Sequence, residues 1–344
     1  MAEWQSSVDL ARLADWMDAR QLGSGPIEEV APLGGGTQNI LLRFRRSGSL
    51  YVLRRPPAHP RPESNETMRR EARVLAALAG SSVPHPRLIA ACGDVAAIGT
   101  AFYLMEPIAG INAAETLPPF HRTPAVQHRM GLAMVEAIAA LGSIDPQTVG
   151  LSDFGRAEGY LARQPGRWRR QLESYAAFEN WPGPDALPGI DRIGDWLAAN
   201  CPDATAPGIL HGDYHIGNVL FRPDQPELAA IVDWELSTIG DPLVDLGWMV
   251  ATWQGEDGTS AIVAVDPWTG FPKTTELIEH YRRHSNRDLA AIDWYIVLAC
   301  YKLGIILEGT FARAAAGLAD RETGESLHNS TIRLLERALS RIES

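Results

Sequence analysis

A chain of 344 residues with 45% hydrophobic content has enough apolar material for a large core, and a formal net charge of −11 argues against general nucleic-acid binding. Cys92, Cys201 and Cys300 are too few and too far apart for a disulfide framework or a zinc motif, which points to a reducing compartment. The N-terminal segment lacks the basic start and continuous apolar core of a targeting sequence, and no run is expected to reach membrane-spanning length; the expectation is a cytoplasmic protein without a membrane or nucleic-acid partner.

Ser6 followed by Asp9 suggests a capping box, and Leu10, Leu13, Trp16 and Met17 recur at helical spacing until Gly23. From residue 27 the pattern shortens to strands over 27–33, 37–46, 50–55, 87–92 and 101–106, with one helix at 64–79. Gly34, Gly35, Gly36 and Thr37 join the first two strands. Glycine permits close backbone approach, so this turn either lays amides on phosphates or is a plain hairpin. Beyond Gly110 the pattern is helical, over 124–141, 154–177, 190–200, 242–253, 274–284, 289–316 and 325–342. Asp241-Pro242 reads as a helix start with Asp241 as N-cap, and Asp245 falls in the first turn. The expected architecture is α+β and bilobal: an antiparallel N-lobe with one crossing helix over 1–107, and a mainly helical C-lobe over 108–344.

The chemistry concentrates in Ile209-Leu210-His211-Gly212-Asp213-Tyr214-His215-Ile216-Gly217-Asn218-Val219-Leu220-Phe221, followed by Ile231-Val232-Asp233-Trp234-Glu235. Asp213 and Asn218 stand five positions apart, the spacing at which a kinase catalytic loop carries its base and its metal-binding amide, and Asp233 sits where the D-F-G aspartate would. Phosphoryl transfer needs such a set because the protein must orient a hydroxyl and neutralise phosphates through Mg²⁺, which takes few protein oxygens. Only eight positions separate Asp233 from Asp241. A long activation segment has no room there, which favours a small-molecule acceptor over a protein.

H-G-D-x-x-x-x-N, then I-V-D-W-E, then G-D-P-x-x-D-L resembles the aminoglycoside phosphotransferase and choline kinase family, over roughly residues 32–250. With L-R-R-P-P, it is nearest the kinase-like domains fused to acyl-CoA dehydrogenases. The resemblance implies a protein-kinase-like fold using ATP and Mg²⁺ to phosphorylate a hydroxyl of a small molecule. It makes Asp213 the catalytic carboxylate, Asn218 and Asp233 the metal ligands, and Gly34, Gly35, Gly36 and Thr37 the phosphate cover. Arg54 takes the place of the family's phosphate-anchoring lysine, and Glu71 that of its ion-pair partner. Glu106 and Ile108 become hinge positions beside the adenine, and His211 and Asp245 braces of the catalytic loop. Arginine departs from the family's lysine in shape and hydrogen-bond geometry. Both Arg54 and Arg55 also read as surface charge, and Arg69, Arg70 and Arg73 offer Glu71 local partners.

Two other readings stay open. His211, Asp213 and His215, completed by His280 and His284, could form the zinc site of a hydrolase, although His280 to His284 also reads as a solvated helix face. A nucleotide-binding scaffold without transfer activity would account for Arg54. Trp253, Glu256, Asp257, Asp266 and Trp268 either line a pocket for a cation or form a surface loop with packed aromatics.

Overall fold

A computed structural model describes residues 8–34, 39–255, 260 and 262–343. Helix α1 (Leu10–Asp18) is capped by Asp9, whose carboxylate accepts the N–H groups of Ala11 and Arg12 at 3.1 and 3.0 Å. Ser6 lies outside the described residues, so the capping expected of a Ser6 box falls to Asp9 itself.

Five antiparallel strands form one sheet in the order β1-β2-β3-β5-β4: β1 (Glu28–Pro32), β2 (Ile40–Arg46), β3 (Ser49–Arg55), β4 (Leu88–Cys92) and β5 (Phe102–Met105). The β2–β3 turn is tight because Ser47 and Gly48 both take positive φ, 48° and 77°, matching the twist of the flanking strands. Alternation along β3 divides its side chains between two cores. Tyr51 and Leu53 join Leu13, Trp16 and Met17 of α1, while Val52 faces Met68, Val74 and Leu75 of the crossing helix α2 (Ser64–Ala77). The second core runs on without a break into the helical part of the chain.

That part contains α3 (Pro124–Gly142), α4 (Tyr160–Glu173), α5 (Ile190–Ala199), α6 (Leu243–Thr252), α7 (Thr274–His284), α8 (Ile292–Ala315) and α9 (Arg321–Glu343). Two small antiparallel pairs sit among them: β6 (Gly208–Leu210) with β9 (Thr238–Gly240), and β7 (Val219–Phe221) with β8 (Leu228–Ile231). The helix expected over 154–177 is shorter. Gly159 is left-handed at φ 61°, so α4 starts only at Tyr160, and it runs into a 3-10 turn at Ser174–Ala177. The expectation that no run reaches membrane length also fails, since α8 is long and apolar enough by composition. Most of α8 is buried, with Trp294, Ile296, Val297, Cys300 and Ile305 in the core, which accounts for its apolar character.

Arg46 ties α1 to the sheet. Its side chain is fully buried and donates to Gly25 O, Ala14 O and Asp18 Oδ1 at 3.1, 2.9 and 2.6 Å. Arg46→Ala leaves two carbonyls without that donor and is expected to cost about 2–4 kcal/mol of stability. Urea unfolding checks this; an unchanged midpoint would show that the latch contributes nothing.

Candidate active site

The loop after β6 is positioned by one buried carboxylate. Asp245, in the first turn of α6, accepts the backbone N–H of His211 at 2.7 Å on Oδ2 and that of Gly212 at 2.9 Å on Oδ1. Burial pushes the Asp245 carboxyl up, and His211 with these two N–H groups offsets part of the rise. Gly212 is required here: its φ is 86°, and a Cβ would stand 2.4 Å from Leu236 O. His211 is buried, with Nε2 2.9 Å from Val232 O and Nδ1 accepting the Asp213 N–H at 3.3 Å. Both ring nitrogens are therefore occupied by backbone, which makes the ring a spacer between the loop and the chain leading to Asp233. Asp241 accepts the Leu243 N–H at 3.0 Å and so caps α6, which begins one residue after Pro242. Its other oxygen takes Thr205 and Tyr295.

Asp213 and Asn218 meet directly. Asn218 donates from Nδ2 to Asp213 O at 2.9 Å and to Asp213 Oδ2 at 3.1 Å, while the Trp248 indole donates to Asp213 Oδ1 at 2.9 Å. His215 Nε2 lies 3.6 Å from Asp213 Oδ2, and its Nδ1 accepts the Gly217 N–H. Burial would raise the Asp213 carboxyl, but His215 outweighs it with His211 and Lys302, and the group is held down to about 2. It is a carboxylate at any working pH.

The β7–β8 hairpin brings Asn218 beside Val232, whose N–H donates to Asn218 O at 2.9 Å. Asp233 follows in the left-handed region at φ 65°, a conformation that aspartate tolerates better than most residues and that ends the strand abruptly. Its half-exposed carboxylate accepts Arg54 Nη2 at 2.7 Å. Arg54 also reaches Glu71, with Nε 2.9 Å from Oε2 and Nη2 3.3 Å from Oε1, and Tyr103 OH donates to Glu71 Oε2 at 2.8 Å. Burial alone would lower the Arg54 guanidinium, but Glu71, Tyr103 and Asp233 overcome it and hold the cation. Glu235 is half-buried and pushed up by burial, then by Asp233 and Asp213.

The other predicted positions divide. Arg54 and Arg55 are both buried, so the surface-charge reading fails for each; Arg55 turns back to Pro56 O. Arg69, Arg70 and Arg73 bond Glu66, the Phe154 carbonyl and Asp153 respectively, which leaves Glu71 to Arg54 and Tyr103. Gly34 opens the β1–β2 connection just past the Leu33 N–H to Leu41 O bond; Gly35, Gly36 and Thr37 lie outside the described residues. Glu106 and Ile108 follow β5, half-buried, and the Glu106 N–H is spent on Arg87 O, so any adenine contact of Glu106 falls to its carbonyl. The histidines do not assemble a zinc site around Asp213. Among the described residues, the group of three potential ligands is Glu136, His280 and His284. Arg129 already holds Glu136 through both oxygens at 2.6 and 2.8 Å, and His280 bonds it at 2.9 Å, so His280 is not a solvated face residue. Trp268 and Phe271 stack with ring centroids 4.1 Å apart and Trp253 meets both edge to face, as packed aromatics. Lys273 and Arg337, rather than Asp266, share the cleft beside them, while Glu256 and Asp257 lie outside the described residues.

Trp248 and Lys302 escaped the sequence reading. Trp248 reads as one more apolar residue of a buried helix, and Lys302 lies 89 positions from Asp213 on α8. Lys302 Nζ donates to Gly212 O at 3.1 Å and stands 4.0 Å from the Trp248 ring centroid.

A catalytic loop tied to a helix start, an asparagine bonded to the loop aspartate and a cation bridging strand, helix and second aspartate define a kinase-like phosphotransferase architecture. The profile of the phosphotransferase enzyme family (APH) matches residues 29–283, and the chain belongs to that family. Acyl-CoA dehydrogenase family member 11 from Gallus gallus is 30% identical over 319 residues, covering 90% of this chain and 40% of that protein. Member 10 from Mus musculus is 28% identical over 331 residues, covering 92% and 29%. The chain thus spans two fifths or less of these relatives. Among solved structures, a candidate aminoglycoside phosphotransferase from Ralstonia eutropha superposes with a TM-score of 0.78 at 28% identity, covering 97% of this chain and 99% of that one. The GDP complex of aminoglycoside 2'-phosphotransferase-IIIa gives 0.61 at 15% identity, covering 96% and 99%, a likeness of fold.

Gly212→Ala combines the positive φ with the clash on Leu236 O and is expected to cost about 3 kcal/mol or more. Thermal unfolding tests it, and a melting temperature within a degree or so of wild type would contradict the required close approach.

Proposed function

We propose that the chain transfers the γ-phosphate of ATP, in a Mg²⁺-dependent reaction, to a hydroxyl of a small molecule. The observation that carries this is a pair of bonded groups, Asp213 with Asn218 and Asp233 with Arg54 and Glu71, brought together by the backbone bond from the Val232 N–H to Asn218 O. The residues suit a divalent cation. Asn218 turns its Nδ2 to Asp213, which leaves its Oδ1 for a metal; Asp233 projects a half-exposed carboxylate. Burial first, and then Asp233 and Asp213, push the neighbouring Glu235 carboxyl up, so a further carboxyl lies beside the two aspartates. Bound there, Mg²⁺ would supply charge neutralisation for the phosphates.

Asp213 orients the acceptor hydroxyl and receives its proton. A carboxylate held near 2 is a weak base, so orientation precedes proton transfer, which fits a loose transition state in which the hydroxyl is deprotonated late. Arg54, fixed by Glu71, directs a cation toward the phosphates, and Gly34 with its neighbours covers them. Between Asp233 and α6 the chain is a short turn and β9, which pairs with β6. That compact connection supports a small acceptor. The names of the relatives make hydroxylated acids, acyl-CoAs and aminoglycosides the first compounds to screen.

The Arg54–Asp233 bond favours one rival, a scaffold that binds nucleotide without transferring phosphate. Turnover of ATP and GTP across a hydroxyl-compound library separates the two; nucleotide binding with no transfer to any acceptor would establish the scaffold. For an active chain, Asp213→Asn is expected to lower kcat by about 10²–10⁴-fold while nucleotide affinity is largely kept. Wild-type turnover in that variant removes Asp213 from the chemistry. Asp233→Ala is expected to abolish the Mg²⁺ dependence of nucleotide binding, measured calorimetrically with and without the metal; an unchanged dependence sinks the ligand assignment.

A further inference from the structure

The side chain beneath the catalytic loop is a lysine on an otherwise apolar core helix. Trp294, Ile296, Val297, Cys300 and Ile305 are buried along the same helix α8, yet Lys302 sends its ammonium into the packing between α8, α4 and α6. Lys302 is half-buried, and setting an ammonium in such packing is costly unless its donors and charge are answered. Here Gly212 O accepts one N–H at 3.1 Å, and the Trp248 ring faces the ammonium at 4.0 Å, with the Trp168 ring further off at 5.7 Å. Helices α6 and α8 come this close because residue 247 is glycine, whose Cβ would stand 2.6 Å from Tyr295 O.

Both partners of the ammonium lead to Asp213. Gly212 is its neighbour in the chain, at the position where the left-handed φ turns the loop. Trp248, itself buried, donates its indole N–H to Asp213 Oδ1 at 2.9 Å. We propose that Lys302 and Trp248 are positioning residues for phosphoryl transfer: Lys302 clamps the Gly212 carbonyl and the Trp248 ring, and Trp248 then fixes one oxygen of Asp213 so that the carboxylate faces the acceptor hydroxyl. The proposal rests on Asp213 being the hydroxyl-orienting group.

Charge makes the clamp pH-sensitive. Asp213 from the loop and Asp245 from α6 favour the ammonium, Arg167 from α4 opposes it, and burial dominates, lowering Lys302 to about 8. Below that pH the ammonium is present and the clamp closed. As pH rises through it, the cation and its hold on the ring are lost.

The test uses the full chain with Trp248→Phe, Lys302→Met and Lys302→Arg. Wild-type kcat is expected to fall with an apparent pKa near 8. Trp248→Phe, which removes the N–H donor, and Lys302→Met should each lower kcat about tenfold with nucleotide affinity within about twofold, and Lys302→Met should abolish the alkaline fall. Lys302→Arg should keep kcat within about threefold of wild type and move the fall above the range of an ordinary lysine. A merely structural role would lower the melting temperature and leave the pH profile in place. Wild-type kcat and an unaltered profile in both Trp248→Phe and Lys302→Met would overturn the proposal. A second readout needs no turnover: the ¹⁵N-indole resonance of Trp248, assigned by its loss in Trp248→Phe, should titrate near pH 8 in wild type and not in Lys302→Met. If the wild-type chain phosphorylates no acceptor, the transferase reading fails and this resonance alone judges the clamp. An indole signal unmoved by Lys302→Met then overturns it.

Discussion

The site depends on a buried carboxylate answered by backbone. Asp245 takes the N–H groups of His211 and Gly212 on its two oxygens, so the start of α6 and the start of the catalytic loop are one rigid unit. A buried charge is tolerated when each lone pair meets a donor, and the same arrangement becomes a liability when one donor is lost. The left-handed turn at Gly212 places its N–H toward Asp245 and its carbonyl toward Lys302, so consecutive backbone groups anchor to α6 and α8. Asp213, next in the chain, inherits its position from both.

From that anchor the order of the site follows outward. His211 spans from the loop to Val232 O, and Val232 N–H returns to Asn218 O, so the two aspartates of the site are held at a set separation by backbone and one imidazole ring. Elements that are far apart in the chain are thereby locked without any long side chain having to be ordered in solvent, which is where side-chain entropy would weigh most. The N-terminal sheet joins through Arg54 alone among the contacts described at Asp233.

Much of this was legible from local chemistry. The strands and α2 were visible because alternation and 3.6-residue periodicity are written in neighbouring residues, and α7 coincides with its predicted range, Thr274–His284. The loop aspartate, its asparagine and the second aspartate were visible because their spacing is short. What stayed hidden has a common cause: it depends on packing between elements. Trp248 was indistinguishable from core until its N–H was seen on Asp213, and Lys302 until α8 was seen against the loop. The start of α4 depends on one left-handed glycine, a backbone choice that apolar periodicity through 154–177 does not encode. His280 looked solvated because a helix face shows its partner, here Glu136 on α3, only in three dimensions.

Arginine at position 54 changes how charge is balanced around Asp233. A lysine presents one compact charge on a flexible stem, whereas a guanidinium is a rigid fork that satisfies two carboxylates at once. Arg54 does this, with Glu71 on one edge and Asp233 on another, and Tyr103 completes Glu71. The fork therefore neutralises part of the charge that a divalent cation would otherwise meet at Asp233, while Glu235, two residues further on, is pushed up by burial and then by Asp233 and Asp213. Asp233 and Glu71 thus each have a fixed donor in the ligand-free chain. On the proposed function, Asp233 would hold the metal and Arg54 would face the phosphates, so the Arg54–Asp233 pair marks where metal and phosphate charge would be met. An arginine suits that place because Glu71 holds one edge of the fork while another faces Asp233.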